Sequence, residues 1–310
     1  MAVYHGYSDL PELSRGCVAA LGNFDGVHRG HRAVRATACA FAETLDAPCA
    51  GAVFSPHPRQ VFAPDAPPFL LMNDHQRARA LKAAGAEAVF HIPFSKAMAA
   101  MTPDEFVREV LAEGLGLRGV VTGADFCFGK DRAGDAAALK ALGARYGVAV
   151  TIAEAVNLDD ASGKISSTNV RNALREGDVK TAAALLERPF AIEGVVSKGD
   201  QRGRLLGFPT ANIGLGEYLR PKFGVYAVRA HLPSGDSVAG VANLGSRPTV
   251  QGTEARLEAH LFDFEADLYG QTLEVDLIDF IRPEQKFDGL DALTAQIAAD
   301  SATAREMLGV

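Results

Sequence analysis

Apolar positions in the first half of the chain fall into short runs separated by stretches with helical spacing. Val18 to Leu21 is a run of strand length; Gly22, Gly26 and Gly30 follow it, and then an Ala-rich segment runs towards Leu45. This reads as strand, glycine-rich turn and helix. Ala50 to Phe54 predicts a second strand, Asn73 caps a helix through Ala84, and Glu87 to Ile92 predicts a third strand. Thr102, Pro103 and Glu105 spell a capping box with proline at the first helical position, so a helix is expected to about Leu115. Strands at Val120–Thr122 and Val148–Ile152 enclose another helix, and a last one runs from Gly177-Asp178 to Leu186. Strands alternating with helices imply a parallel sheet covered on both faces. One interruption stands out: prolines at 56, 58, 64, 67 and 68 predict a long loop without regular structure.

After Arg188-Pro189 the period changes. Ile192–Val196, Val225–Leu232, Ser237–Asn243, Arg256–Phe262 and Leu273–Phe280 read as strands with two-residue alternation, joined by turns such as Pro233–Asp236. Short strands in succession without helices predict a small antiparallel barrel or sandwich. Asp288 to Leu308 returns to helix, with Ser301 as a cap between two segments.

Composition narrows the setting. In 310 residues, 48% hydrophobic, there is no apolar run of membrane-spanning length and no signal-peptide pattern, so a soluble, cytoplasmic protein without a membrane partner is expected. A formal charge of −7 argues against nucleic acid as a partner, but leaves room for small phosphorylated substrates. Cys17, Cys39, Cys49 and Cys127 make no CxxC pair and no zinc spacing, so free thiols are expected, with neither a zinc site nor a disulfide framework. A monomer or weak homo-oligomer is expected.

Within this frame, several segments carry chemistry. The turn from Gly22 through Asn23 and Phe24 to Gly30 opens a helix, where unpaired N–H groups favour phosphate, and His28 and His31 stand at the place of the anion. Ser167 and Thr168 precede a short helix with Arg171 one turn in, so hydroxyls, helix N-terminus and guanidinium can face one anion. Phe54, Phe62 and Phe69 flank the proline-rich loop and could pack on a flat ring. In the second half, Thr210 and Asn212 lie two apart on an extended chain, a hydroxyl and an amide oxygen suited to a hard cation. Glu258 interrupts an otherwise apolar strand.

The wording of the motifs resembles a known family. GNFDGVHRGH, FSPHPR, GADFCFG and ISSTNVR are similar to the FMN adenylyltransferase module, of the nucleotidyltransferase superfamily, in bacterial bifunctional riboflavin kinase/FAD synthetases. GRLLGFPTANI, GVANLGSRPT, LEAHLFDF and IRPEQKF resemble the riboflavin kinase module of the same family. The resemblance implies a Rossmann-like α/β nucleotidyltransferase domain over residues 1–187, then a small antiparallel β-barrel kinase domain with C-terminal helices over 188–310. It implies that riboflavin and ATP give FMN and ADP in the second domain, and that FMN and ATP give FAD and pyrophosphate in the first, with Mg²⁺ as cofactor.

Each role follows the chemistry. In the first domain's reaction a phosphate is the nucleophile and needs no strong base, only alignment and positive charge from His28, His31 and Arg171, with Ser167 and Thr168. By the resemblance, Asp125 lines that cleft, and His57, Phe54, Phe62 and Phe128 are flavin contacts; Cys127 stands where many relatives carry arginine. In the second, an alcohol does need a base, which the resemblance assigns to Glu258, with Thr210 and Asn212 holding the metal and Arg202 and Arg204 covering phosphates. Rival readings, a chain with one module degenerate or a flavin-binding regulator without catalysis, predict lost motif residues, and none is lost.

Overall fold

The computed structural model describes residues 2–154, 165–199, 207–249 and 252–310. Contacts divide the chain into two compact units, Met1–Ala66 with Asp74–Ile165, and Pro67–Asn73 with Ser166–Val310.

In the first unit, strands β1 (Ala2–His5), β2 (Val18–Gly22), β3 (Cys49–Ser55), β4 (Ala88–Pro93), β5 (Gly119–Gly123) and β6 (Ala149–Ala153) form one sheet in the order β1-β4-β3-β2-β5-β6. Every neighbouring pair is parallel. The central strands are apolar along their whole length because both faces are covered: Val18, Ala19 and Ala20 are fully buried. The crossovers include α1 (Arg29–Thr44), α2 (Pro58–Phe62), α3 (Asp74–Ala83), α4 (Lys96–Ala99), α5 (Pro103–Glu105) and α6 (Ala136–Tyr146). The chain steps outward from β2 to β3 to β4, then returns to lay β5 and β6 on the other side of β2. Strand order therefore reverses between β2 and β5, and the crevice outside the carboxyl ends at such a reversal is where open parallel sheets bind ligands.

Local structure departs from expectation in four places here. The proline-rich segment is not all loop, since α2 forms inside it. Pro58 sits at the first helical position, where no N–H is needed, and His57 caps the turn, its Nδ1 accepting from the Arg59 N–H at 3.1 Å while Gln60 Oε1 accepts from the His57 N–H at 3.0 Å. Strand β1 is short, mostly exposed and at the sheet edge, so no buried face marks it in the sequence. After the Thr102 capping box, Phe106–Gly114 winds as a π-helix and buries Phe106, Val107, Val110 and Leu111. Finally, Cys39 in α1 and Cys49 at the start of β3 form a disulfide, which corrects the expectation of four free thiols; Cys17 and Cys127 are free. Sequence spacing gave no hint of that pair, because the return of α1 along β3 is what brings the sulfurs together.

The second unit begins with α7 (Ser167–Glu176) and α8 (Val179–Leu186). Strands β7 (Phe190–Val195), β8 (Ala211–Gly214), β9 (Gly224–His231), β10 (Ser237–Thr249), β11 (Gly252–Leu261) and β12 (Thr272–Pro283) follow, in the order β7-β12-β9-β10-β11-β8, each pair antiparallel. An isolated antiparallel bridge between Ser197 and Asn212 brings the two ends of this row together, which makes a nearly closed barrel rather than a sandwich. Strands β10 and β11 outrun their apolar alternation and stay paired as far as Thr249 and Gly252.

The last helix, α9 (Leu290–Leu308), is continuous: Ser301 does not cap a second segment but donates its hydroxyl to the Ile297 carbonyl at 2.7 Å. Ala304 packs with Val225, Ala227, Ala239 and Val241 on the barrel. Arg282 of β12 clasps the buried Asp300 of α9 through Nε and Nη2, the latter at 2.6 Å. Among the described residues no helix is long and apolar enough to cross a membrane.

Candidate functional site

At the strand-order reversal, β2 runs into the glycine-rich turn and β5 into the segment that carries Asp125. The turn is held in an unusual conformation, with positive φ at Phe24 (47°), Gly26 (90°) and Val27 (39°). Phe24 and Val27 are nonetheless almost fully buried, so packing fixes what local preference opposes. His28 is the N-cap of α1: its Nδ1 accepts the His31 N–H at 3.4 Å, which leaves the proton of the neutral ring on Nε2. The two imidazoles stack with centroids 3.6 Å apart and planes 17° apart, and Phe24 meets His31 edge-on. Gly30 keeps this arrangement open, since a Cβ there would lie 3.3 Å from the His28 ring. His28 is buried. A paired donor system at a helix start suits a phosphate group.

The candidate flavin residues divide. Phe54 and Phe128 are 6% exposed and belong to the hydrophobic core of the first unit, Phe54 meeting Phe94 edge-on and Phe128 stacking on Phe126. Phe62, at the end of α2, is 67% exposed and meets Phe94 edge-on. Of these rings, Phe62 is the one with a face to offer. Asp125 is exposed in the turn after β5, and the Cys127 thiol points back to its carbonyl at 3.7 Å.

Ser167, Thr168 and Arg171 fall in the second unit. The cap of α7 is Ser166, whose hydroxyl accepts from Asn169 N–H, so Ser167 and Thr168 occupy the first turn. Arg171 Nε donates to the Phe69 carbonyl at 2.9 Å and its guanidinium lies over the Phe69 ring at 5.4 Å. Thus the segment Pro67–Asn73, which Leu70 also joins to Tyr218, anchors the arginine of the second motif.

In the barrel, strand register places Glu258 directly opposite Asn212 on β8 and opposite Asn243 on β10. Opposed residues in antiparallel pairs share a face, so Asn243, Glu258 and Asn212 form one polar row across three strands. Around Glu258 the strand alternates: Ala255, Leu257, Ala259 and Leu261 are buried, whereas Arg256, Glu258 and His260 are only partly so. Asn212 is 5% exposed; its Nδ2 donates to Thr210 O at 3.2 Å and to Thr210 Oγ1 at 3.3 Å, while Arg256 Nη1 donates to its Oδ1 at 3.4 Å. A half-turn of the amide would give up the Arg256 bond and set the oxygens of Asn212 and Thr210 side by side, the donor set of a hard cation. Gly199 lies against this amide, and a Cβ at that position would come within 2.5 Å of Asn212 Oδ1. Beside them opens a cavity of about 470 Å³ lined by Thr210, Asn212, Phe264, Asp267 and Tyr269 among others. Arg202 and Arg204 lie outside the described residues.

Sequence reasoning missed Asn243 and Arg256 and gave no sign of the contact between Gly199 and the Asn212 amide. Asn243 could have been found from its strand, since it is the polar break in GVANLG; Gly199 and Arg256 gain meaning only from the approach of β7 and β11 to β8.

The FAD synthetase family model matches residues 10–169 and the riboflavin kinase family model matches residues 186–308. The chain is thus a nucleotidyltransferase and a kinase in series, both flavin enzymes. It is 40% identical to the bifunctional riboflavin kinase/FMN adenylyltransferase of Escherichia coli K12 over 306 residues, covering 99% of this chain and 96% of that one. The Pseudomonas fluorescens protein of the same name is 42% identical over 308 residues, covering 99% and 98%. A crystal structure described as a macrolide-efflux protein from Streptococcus pneumoniae superposes with a TM-score of 0.83 at 32% identity, covering 98% of this chain and 99% of that one. The chain belongs to the family of bifunctional riboflavin kinase/FMN adenylyltransferases, as its motifs led us to expect.

Proposed function

We propose that residues 188–310 phosphorylate riboflavin and residues 1–187 adenylylate the resulting FMN, with Glu258 as base of the first reaction and His28, His31, Ser167, Thr168 and Arg171 serving ATP in the second. The observation that carries the kinase assignment is the polar row Asn243, Glu258, Asn212. A carboxylate in that row can take the proton of the terminal ribityl hydroxyl as its oxygen attacks the γ-phosphorus and ADP leaves. Thr210 and Asn212 would hold Mg²⁺, which supplies charge neutralisation to the phosphates when bound.

In the adenylyl transfer, FMN brings an oxygen that is already anionic. His28 and His31 donate hydrogen bonds to the triphosphate and orient the α-phosphorus for attack. Gly22, Asn23, Phe24 and Gly30 form the turn that admits the phosphates. Asp125 lines the same cleft, the flavin meets Phe62 and the His57 segment, and Phe54 and Phe128 support that wall from the core. Arg202 and Arg204 cover the phosphates in the kinase. We also propose a soluble, cytoplasmic monomer or weak homo-oligomer.

Chromatography of the flavins after incubation with riboflavin and MgATP tests the whole reading: FMN rises first and FAD follows it, with ADP and pyrophosphate released. Absence of either flavin product refutes the corresponding half. A second result is expected at Gly199. Gly199→Val drives a branched side chain into the Asn212 amide, and a displacement of about 1 Å costs about 100-fold in rate. FMN formation should fall by that order while FAD formation from supplied FMN stays within about twofold; an unaffected kinase would show that the amide has no role.

A further inference from the structure

Asp74 and Arg77, at the start of α3, were part of no motif, yet they form a junction in the first unit. Arg77 is 3% exposed, and a buried guanidinium requires partners. Its Nη2 donates to Asp74 Oδ1 at 2.5 Å and its Nη1 donates to the Asn23 carbonyl at 3.1 Å, with the charge of Asp25 also nearby. The second carboxylate oxygen of Asp74 accepts the hydroxyl of Ser55, the last residue of β3, and lies 3.5 Å from Nδ1 of the buried His91 on β4. Two segments therefore meet at one carboxylate: the turn after β2 through Arg77, and the entrance to the FSPHPR segment through Ser55.

The contact with Asn23 falls where the turn needs support. The Asn23 carbonyl belongs to the peptide that leads into Phe24, whose φ is 47°, and positive φ recurs at Gly26 and Val27. For non-glycine residues such conformations persist only where surrounding structure imposes them. In a trans peptide the carbonyl and N–H point in opposite directions. With the carbonyl turned to Arg77, the Phe24 N–H lies on the other edge of that peptide, as in the backbone concavities that receive anions.

We infer that Asp74 and Arg77 are positioning residues for adenylyl transfer, holding the phosphate turn and the flavin segment in register with each other through one shared carboxylate. This rests on the reading that the Gly22–His31 turn serves ATP and that the FSPHPR segment serves FMN. Both residues act through Asn23 and Ser55. Burial alone would push the Asp74 carboxyl up, but His91, Ser55 and the charge of Arg77 outweigh it and hold the group well below the usual carboxylate range. A depressed carboxylate contributes stability that is present in full above about pH 4 and lost only as pH falls through the lowered value, so Asp74 is charged from about pH 4 upward.

The test uses the full chain, with kinase activity as the control on the second unit and thermal unfolding as the control on the first. Arg77→Met is expected to raise KM for ATP about tenfold and to lower kcat for FAD formation, and Ser55→Ala to raise KM for FMN. Asp74→Asn should shift both KM values, and the Ser55→Ala/Arg77→Met pair should be non-additive by at least threefold. Arg77→Lys, which keeps the charge but cannot span both Asn23 and Asp74, should restore part of kcat; it also serves if Arg77→Met does not fold. A merely structural role would lower kcat by the fraction of enzyme lost and leave both KM values alone, and that outcome, or additivity, overturns the inference. If His31→Ala abolishes FAD formation while these variants keep wild-type KM values, the junction fails and the assignment of the turn stands. If His31→Ala is harmless, the assignment itself has failed.

Discussion

In Glu258→Gln, riboflavin should remain unphosphorylated while supplied FMN is still converted to FAD. Glutamine keeps the volume and the hydrogen-bonding edge of the side chain, so the row between Asn243 and Asn212 can persist. What is lost is the acceptor for the hydroxyl proton, and removing a general base costs about 100- to 10,000-fold. Because the substitution is isosteric on a half-buried polar face, the barrel should unfold at an unchanged temperature. Separate initial-rate assays of FMN and FAD formation decide the matter. Parallel loss of both activities would refute the division of labour, and a surviving kinase would remove Glu258 from the mechanism.

The complementary expectation concerns the histidine pair. In His31→Ala the kinase should run normally and FMN should accumulate, with FAD formation reduced about 100- to 1,000-fold, the usual effect of deleting one donor that stabilises developing charge. The effect should not be confined to His31. Its ring stacks on His28 at 3.6 Å, so the alanine variant removes that stacking and leaves the His28 ring held by the backbone N–H of residue 31. His28→Ala should therefore be at least as damaging, and the double variant scarcely worse than either single one, because two groups acting as one unit are not additive. Undiminished FAD output in either single variant would refute the role assigned to the pair.

The flavin wall shows how far motif reading reaches. Phe54, Phe62 and Phe128 were equal candidates in the sequence, because an aromatic residue beside a loop carries no mark of which way its ring faces. The sheet settles this: Phe54 lies on β3 with its ring against Phe94 and Phe106, Phe128 stacks on Phe126, and Phe62 alone of the three is exposed. The helix at Pro58–Phe62 was illegible for a related reason. Five prolines suggested irregular chain, but one proline at a first helical position is compatible with a helix when a cap precedes it, and His57 is an uncommon cap.

Much was fixed by sequence alone. Hydrophobic period distinguishes the parallel sheet of the first half from the antiparallel strands of the second, because a strand covered on both faces must be apolar throughout and one covered on a single face must alternate. The turn from Gly22 to His31, the hydroxyls before Arg171 and the carboxylate at 258 were visible because they are local, or break a local pattern. What only the tertiary structure decided are the relations between distant segments: the reversal of strand order beside β2, the alignment of Asn243, Glu258 and Asn212, the disulfide between Cys39 and Cys49, and the junction at Asp74. These depend on which strands become neighbours and in what register. Side-chain period records which face of a strand is buried, but not which partner buries it.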